Sequence, residues 1–326
     1  MSTYSQIFGG KVNVLASDPS NPINGQTWYN STSKVMKYSQ GSVAGVWSSG
    51  GNMGTARRTQ GGAGTQTAGL AIGGYTTATT AATEEYDGSA WTAGGNLGSA
   101  RYGPCGAGTQ TAGLSIGGFS GVLPITSTEE YDGTSWTAGG NLATARRLLG
   151  GAGTQTTAAA FGGRVLGDGP TNVTEEYDGT SWTAGGNLGT SRRNLGGCGT
   201  QTAALGFGGY TTVDLANTEE YDGTSWTSGG NLNTARSNLG SAGTQTVGLA
   251  FGGATYPPLA LKNNTEEYNG TSWAASTAMT TARCYMAGCG TQKSALAAGG
   301  QAGSNTAVTE EYSGAGTLTT KTVTAT

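Results

Sequence analysis

The 326-residue sequence contains no histidine, and this absence excludes several kinds of catalytic and metal site. A Ser-His-Asp triad needs an imidazole base, and many zinc sites use imidazole ligands. The chain also contains no G-x-x-x-x-G-K-[ST] sequence, so its glycine-rich stretches do not match a nucleotide-binding P-loop. We therefore expect neither a Ser-His-Asp triad nor a histidine-based metal site.

Charge and long apolar runs are also scarce. Charged residues make up 11% of the chain and the net charge is −3, which argues against a nucleic-acid partner because such a partner needs a basic patch. No apolar stretch approaches the ~20 residues of a membrane-spanning helix. The opening MSTYSQIFGG has neither the basic nor the apolar region of a secretory signal peptide. We expect a soluble protein without membrane insertion.

Glycine, in contrast, is abundant at 61 residues, and it recurs within an internal repeat. EEY and GTQ each occur six times, with successive copies 44 to 47 residues apart. A tryptophan precedes each GTQ glycine by 17 residues, and the second glycine of a Gly-Gly pair follows that glycine by 10. Constant spacing of this kind indicates one structural unit copied six times.

Each copy contains four short segments typical of β-strands. Apolar runs such as AGLAIGG (68–74) end in Gly-Gly, TEEY is closed by the turn DGTS, and SWTAGG follows. The segment before GTQ, such as residues 192–199, supplies the first strand. Four strands per repeat, copied six times, are typical of a β-propeller. The predicted fold is an all-β propeller of six four-stranded blades.

The constant positions resemble those of a kelch repeat. In the fourth copy they are Gly208-Gly209 at the end of the second strand, Tyr221 in the third, Trp226 five residues later and Arg236 ten residues beyond. This resemblance covers residues 47–312 and implies kelch-like blades. Galactose oxidase, a kelch enzyme, holds copper partly through histidines, so this chain departs from the family where its chemistry would occur. We expect no cofactor.

The first and last copies are each incomplete, which predicts how the propeller closes. No tryptophan follows Tyr312, and no EEY precedes Trp47. We expect the strand around Trp47 to complete the sixth blade, since closure removes exposed sheet edges. Alternatively, the tail TLTTKTVTAT takes that position and residues 26–50 form a seventh, incomplete blade. The predicted domains are an N-terminal lead-in with a hairpin (1–40), the propeller (41–314) and a tail strand (315–326).

The paired acids occur too often for a catalytic role. All twelve glutamates lie in the six EE pairs, whereas general acid–base catalysis needs one pair. We expect them to brace the blades together with six arginines, and we assign no catalytic residue. Cys198 and Cys289 replace an alanine found in the other four copies, so free thiols and no metal site are expected. The six arginines are Arg57, Arg101, Arg146, Arg192, Arg236 and Arg283.

Candidate binding residues lie where the copies differ. Only the interval between Gly-Gly and TEE varies in length, and repeat insertions on one face often mark a binding face. The variable loops are 75–82, 119–127, 164–173, 210–217, 254–264 and 301–308. They carry the candidates Tyr75, Phe119, Arg164, Asp168, Tyr210, Asp214, Tyr256 and Lys262. The residue after the repeat arginine gives a second candidate site, near the mouth of the central channel: Arg58, Tyr102, Arg147 and Arg193. Alternatively, the residues of both candidate sites differ between copies only because the surface tolerates different side chains there, and they bind nothing.

Residues 18–39 lie outside the repeat and resemble lead-in segments of structural proteins of tailed bacteriophages, especially marine ones. The Gly/Ala/Thr-rich repeats resemble the same group. This resemblance implies a virion protein, assembled in the host cytoplasm, extracellular after lysis and present in several copies. Its N-terminal segment would bind other virion proteins.

The predicted function is a non-enzymatic tail fibre or surface protein. Its variable loops would bind a glycan or an envelope protein of the host surface. The alternative is a purely structural capsid or tail decoration or connector protein without a ligand. A carbohydrate-active enzyme is the least favoured interpretation, because histidine is missing and the acids are repeated sixfold.

Overall fold

The computed structural model describes residues 13–19, 26–41, 45–167, 169–316 and 318–322. Within these ranges the fold is all-β, with short strands joined by turns, and a helix that could span a membrane is not found among them. The chain divides into two compact units. One is Trp47–Tyr312, and the other combines the segments that precede and follow it.

The strands follow the repeat register closely. The first twelve are β1 (Asn13–Leu15), β2 (Thr27–Asn30), β3 (Val35–Gly41), β4 (Val46–Ser49), β5 (Gly61–Gly64), β6 (Gly69–Ile72), β7 (Thr83–Tyr86), β8 (Trp91–Ala93), β9 (Cys105–Gly108), β10 (Gly113–Ile116), β11 (Thr128–Tyr131) and β12 (Trp136–Ala138). The next eight are β13 (Gly150–Gly153), β14 (Ala158–Phe161), β15 (Thr174–Tyr177), β16 (Trp182–Ala184), β17 (Gly196–Thr200), β18 (Ala203–Phe207), β19 (Thr218–Tyr221) and β20 (Trp226–Ser228). The remaining twelve are β21 (Gly240–Gly243), β22 (Gly248–Phe251), β23 (Ala254–Thr255), β24 (Ala260–Leu261), β25 (Thr265–Tyr268), β26 (Trp273–Ser276), β27 (Ala287–Thr291), β28 (Ser294–Ala298), β29 (Gln301–Ala302), β30 (Ser304–Asn305), β31 (Thr309–Ser313) and β32 (Leu318–Thr322).

Six four-stranded sheets, here called repeat sheets 1 to 6, share one arrangement. Sheets 1 to 4 are β5–β8, β9–β12, β13–β16 and β17–β20, and sheet 5 is β21, β22, β25 and β26. Neighbouring strands of these five sheets are antiparallel. Sheet 6 has the order β27-β28-β31-β4, so the strand that carries Trp47 lies beside the last EEY strand.

A seventh four-stranded sheet is not a copy of the repeat. Its order is β1-β2-β3-β32, with β1 and β2 parallel and the other pairs antiparallel. The C-terminal strand β32 therefore pairs with β3 and not with β31. Asp18 supports this sheet by accepting hydrogen bonds from Trp28 Nε1 (3.2 Å) and Asn30 Nδ2 (2.8 Å).

The constant residues of the repeat join each sheet to the one before it. Each strand-four tryptophan donates an Nε1–H bond of 2.9–3.0 Å to the threonine of TEEY in the preceding sheet. Each GTQ glutamine donates to two backbone carbonyls of that sheet. The hydroxyl of each EEY tyrosine donates to the second glutamate of the EE pair in the preceding sheet. The pairs are Tyr131–Glu85, Tyr177–Glu130, Tyr221–Glu176, Tyr268–Glu220, Tyr312–Glu267 and Tyr86–Glu311.

The first glutamate of each pair binds the repeat arginine. All six arginine side chains are fully buried, and each forms an ion pair with a glutamate on the third strand of its own sheet. Arg192 and Glu219, for example, are 2.9 Å apart. The same carboxylate accepts a backbone N–H from the preceding loop, as Glu219 does from Gly189 at 2.6 Å. These glutamates thus have structural partners.

The first strands of the sheets pack against one another through glycine. Neighbouring first strands are in contact from β5 through β27, and β27 in turn contacts β5. A Cβ on Gly106 would lie 2.4 Å from the carbonyl oxygen of Gly62, and one on Gly62 would lie 2.7 Å from that of Gly288. Only glycine lets two backbones approach so closely. The second strands, such as β6 and β10, are buried along their whole length and form the core.

Candidate functional site

Each variable loop folds back onto the residue that follows the repeat arginine. The first loop residue and that residue form an isolated antiparallel bridge in every copy. The bridged pairs are Arg58–Tyr75, Tyr102–Phe119, Arg147–Arg164, Arg193–Tyr210, Ser237–Ala254 and Cys284–Gln301. Because of these bridges, the two candidate sites of the sequence analysis form one surface.

The next residue in each copy belongs to a ring of backbone hydrogen bonds. The N–H of Gly103 donates to the carbonyl of Thr59, and the series continues through every copy until Thr59 itself donates to Tyr285, with lengths of 2.7–2.9 Å. The six residues have φ between 57° and 67°, in the left-handed region. They are Thr59, Gly103, Leu148, Asn194, Asn238 and Tyr285.

A depression lies over this ring, and we call it the arginine–tyrosine cavity. It consists of two adjoining cavities of about 220 and 430 Å³ that share Leu148, Arg164, Tyr256 and Tyr285. The first is also lined by Arg193, Asn194, Tyr210, Ser237 and Asn238. The second is also lined by Arg58, Thr59, Tyr75, Tyr102, Arg147 and Gln301. The larger volume falls within the ~300–1,000 Å³ usual for small-molecule sites.

Aromatic rings hold three of the cavity arginines in place. The guanidinium carbon of Arg58 lies 5.0 Å from the ring centre of Tyr75, and that of Arg193 lies 5.3 Å from Tyr210. Arg147 lies 4.0 Å from the ring centre of Phe119 and donates a hydrogen bond to the hydroxyl of Tyr102. Such cation–π contacts favour a fixed position of the charged group.

Two tyrosines, Tyr256 and Tyr285, also line the cavity, and an aspartate behind them supports Tyr256. The hydroxyl oxygens of Tyr256 and Tyr285 are 3.4 Å apart. The pKa of Tyr285 is raised, mainly by burial. Its hydrogen bond to Tyr256 and the charges of Arg58 and Arg193 oppose this increase. Asp214 accepts hydrogen bonds from Ser237 Oγ (2.7 Å) and from the backbone N–H of Tyr256 (2.5 Å). Asp214 therefore fixes the loop that carries Tyr256.

The structure brings most of the predicted site residues together. Those that line the cavity are Arg58, Tyr75, Tyr102, Arg147, Arg164, Arg193, Tyr210 and Tyr256. Phe119 supports Arg147, and Asp214 supports the loop of Tyr256. Lys262 contributes backbone hydrogen bonds to Gly253 and Arg283 and does not line the cavity. Asp168 lies outside the described residues.

Sequence reasoning missed the residues supplied by the hydrogen-bonded ring. Leu148, Asn194, Asn238 and Tyr285 all line the cavity. A signal existed, since the second position after the repeat arginine also differs between copies. These residues reach the cavity because each lies in a left-handed turn. The residue types alone do not reveal this turn.

The arrangement is suited to binding through charge. The chain has ten arginines; six are in the buried ion pairs, and the other four all line the cavity: Arg58, Arg147, Arg164 and Arg193. No aspartate or glutamate is among the described lining residues. Four of the ten arginines are thus gathered at one cavity in a chain whose net charge is −3.

Cysteine is not among the described residues that line the cavity, although Cys284 is bridged to the lining residue Gln301. In the described part of the chain, no cluster of three or more cysteine, aspartate or glutamate side chains could hold a metal ion. The four cysteines are free. Burial raises the pKa of Cys105 and Cys198 to about 12, so both are protonated at neutral pH.

Comparison with known proteins gives no family assignment. No family model matches this sequence. A search among curated proteins finds no significant match. The function of the site is therefore inferred from its residues and their geometry.

Proposed function

We propose that the six repeat sheets are blades of a closed, kelch-like β-propeller whose last blade is completed by β4. Three contacts between the sixth and first copies support closure. Tyr86 donates a 2.5 Å hydrogen bond to Glu311, Trp91 donates to Thr309, and β27 contacts β5. The ring of backbone hydrogen bonds likewise returns from Tyr285 to Thr59.

Within this fold, we propose that the arginine–tyrosine cavity is a ligand-binding site and that the protein is not an enzyme. One observation carries the proposal. The copies agree at the tyrosine, tryptophan and glutamine positions that join sheets and at the buried arginine, yet the bridged pairs around the cavity vary. Arg58–Tyr75 and Arg193–Tyr210 have the same residue types, and the other four pairs all differ. Selection for stability alone would favour one good pair in every copy, whereas a site for one asymmetric ligand requires different side chains around it.

The paired glutamates are accounted for without catalysis. In each pair, one carboxylate binds a buried arginine and the other accepts a tyrosine hydroxyl, as Glu84 and Glu85 do with Arg57 and Tyr131. A general acid or base must instead reach its substrate. This supports a binding role over a carbohydrate-active enzyme.

We further propose that the protein is an appendage of a tailed-phage virion, a tail fibre or surface protein, that binds the host surface. The support is the resemblance of residues 18–39 and of the repeats to phage structural proteins. The N-terminal segment would attach it to other virion proteins. Several copies per particle would convert weak individual contacts into strong attachment.

The test is binding of the purified full chain, displayed in many copies on beads, to intact candidate host cells and to a glycan panel. Two variants accompany it. In one, loops 164–173 and 254–264 are shortened to eight residues each, and in the other, Lys293→Gln removes an exposed charge outside the cavity lining.

Saturable binding that is lost in the loop variant and kept in Lys293→Gln is the expected result. Binding that survives loop shortening would place the contact surface elsewhere. If no form binds any cell or glycan, the purely structural alternative, a decoration or connector protein, replaces the proposal. Turnover of any glycan in the panel would contradict the non-enzymatic role.

A further inference from the structure

We propose that the arginine–tyrosine cavity selects an anionic saccharide, that is, a sugar bearing carboxylate or sulfate groups. This inference rests on the proposed binding function and names the ligand chemistry of the same site. Three features of the cavity carry it: the sign of its charge, the fixed position of its arginines and the mixture of aromatic and amide side chains beside them.

Every charged residue that the structure describes in the cavity lining is an arginine. Arg58, Arg147 and Arg164 line one of its two parts, and Arg164 and Arg193 line the other. Asp214 accepts hydrogen bonds from Ser237 and Tyr256 but is not itself a lining residue. Concave sites lined by one sign of charge concentrate ligands of the opposite sign.

The arginines are held before a ligand arrives. Arg58 donates to Asn305 Oδ1 at 3.2 Å and stacks on Tyr75, while Arg147 stacks on Phe119 and binds the Tyr102 hydroxyl. A guanidinium group can offer two parallel N–H donors to a carboxylate or sulfate. Groups held in advance lose less entropy on binding, which favours recognition of a planar or tetrahedral oxyanion.

The rest of the lining favours a sugar over other anions. Tyr75, Tyr102 and Tyr210 present amphipathic rings. Asn194 donates from its amide nitrogen to Asn238, and its own amide oxygen, which has no partner among the described residues, can accept a hydrogen bond from a sugar hydroxyl. Nucleic acid would need basic residues along an extended surface that follows its backbone. Here the four arginines are confined to one cavity of a chain with net charge −3.

Isothermal titration of the full chain tests this proposal. The ligands are oligogalacturonate, sulfated oligogalactose and neutral oligogalactose of matched length. ATP and a single-stranded oligonucleotide serve as control anions whose negative charges are on phosphate groups. The variants are Arg164→Gln, Arg193→Gln, their combination, and Asn194→Asp, which adds a negative charge in nearly the same shape. Lys293→Gln is the matched control for loss of one positive charge, and melting temperatures verify folding.

We expect an acidic oligosaccharide to bind while its neutral counterpart does not. Each arginine variant should weaken binding about tenfold or more, since a charge-assisted hydrogen bond is lost. The double variant should weaken it further, Asn194→Asp should weaken it by a similar factor through repulsion, and Lys293→Gln should leave it unchanged. Preference for oligogalacturonate over the sulfated ligand, or the reverse, identifies the anionic group.

The opposite outcomes separate this inference from the proposed function. Equal binding of neutral and acidic sugars, preference for ATP or the oligonucleotide, or affinity unaffected by the cavity variants each overturns the anionic-saccharide assignment. If loop-dependent binding to cells persists while no acidic sugar binds, the ligand class is wrong and the binding function stands. If an acidic sugar binds in the cavity but no cell is bound, the host-attachment role fails and the ligand class stands.

Discussion

The constant residues of the repeat form two groups: those that bind the preceding sheet and those that bind within their own sheet. The tyrosine, tryptophan and glutamine bind the preceding sheet, and the arginine binds within its own. Pairing of arginine with glutamate was predicted because one EE pair and one arginine at a fixed position recur in each of the six copies. The tyrosine–glutamate pairs were not, because both partners are constant in every copy and nothing in the spacing shows that they belong to neighbouring copies.

Loss of one buried ion pair should strongly destabilise the fold. We expect Arg192→Met to lower the free energy of unfolding by about 3–5 kcal/mol, because it leaves the buried Glu219 carboxylate without its cation. Urea unfolding measures the change. The double variant Arg192→Met/Glu219→Gln should recover part of the loss, and the exposed Lys293→Met should cost little. A loss for Arg192→Met as small as that for Lys293→Met would contradict this view.

A threonine in the hydrogen-bonded ring offers a stabilising substitution. Thr59 has φ of 58°, a left-handed conformation that is costly for a β-branched residue, whereas the fourth and fifth copies place asparagine there. We expect Thr59→Asn to raise the free energy of unfolding by about 1 kcal/mol. The control is Thr92→Asn on the exposed strand β8, which should not stabilise. An unchanged or lower free energy of unfolding for Thr59→Asn would contradict the view that Thr59 is strained.

At the scale of strands and loops, sequence patterns predicted the four segments of each copy but not all their limits. The first strand of the fourth copy begins at Gly196 and not at Arg192. The reason is that Asn194 has φ of 57°, which breaks the extended conformation. The variable residues could be located from the sequence, but their meeting at one cavity depends on bridges such as Arg193–Tyr210, which no sequence pattern shows.

Close packing of the first strands predicts a steep response to side-chain size. Gly106→Val should destabilise the protein by more than ~3 kcal/mol or prevent folding, since a Cβ there would lie 2.4 Å from a backbone oxygen of Gly62. Gly169→Ala is the control, because a Cβ added at Gly169 would have no neighbouring atom within 4 Å and its change should be within ~0.5 kcal/mol. Thermal unfolding distinguishes the two; equal melting temperatures would show that the strands can move apart.

For the whole molecule, the sequence predicted that the N-terminal strand completes the last copy, and β4 does lie beside β31. The incomplete first and last copies were sufficient for this. The pairing of β32 with β3 was not predicted, because neither segment belongs to the repeat and no periodic signal connects residues so far apart. The sequence analysis predicted a hairpin in the N-terminal segment and a C-terminal tail strand, but not that they form one sheet.

Because of the tyrosines that join neighbouring sheets, we expect the free energy of unfolding to change with pH in the alkaline range. Burial, reinforced by the glutamate hydrogen bond, raises the pKa of Tyr131 from 10 to about 12. The folded chain therefore keeps a proton that the unfolded chain loses above pH 10, so this stabilisation is complete below pH 10 and is lost as the pH rises toward 12. Burial lowers the pKa of Arg192, which acts in the opposite direction.

A single variant isolates the tyrosine contribution. Tyr131→Phe should reduce the free energy of unfolding at pH 8, and the difference from the unmodified protein should shrink by pH 11. Urea unfolding at pH 8, 9, 10 and 11 provides the comparison, and Tyr29→Phe in the seventh sheet serves as the control without this hydrogen bond. A difference that stays constant across this range would show that Tyr131 titrates normally.

The position of β4 also decides how the six-sheet unit carries mechanical load. Its first residue follows the N-terminal segment, and its neighbour β31 precedes the C-terminal one, so both connections enter through sheet 6. The bond from the Gly50 N–H to the Thr309 carbonyl (3.0 Å) lies at the far end of this strand pair. Tension applied directly at the two ends of the six-sheet unit, Trp47 and Tyr312, would therefore load the β4–β31 pair before the other five sheets.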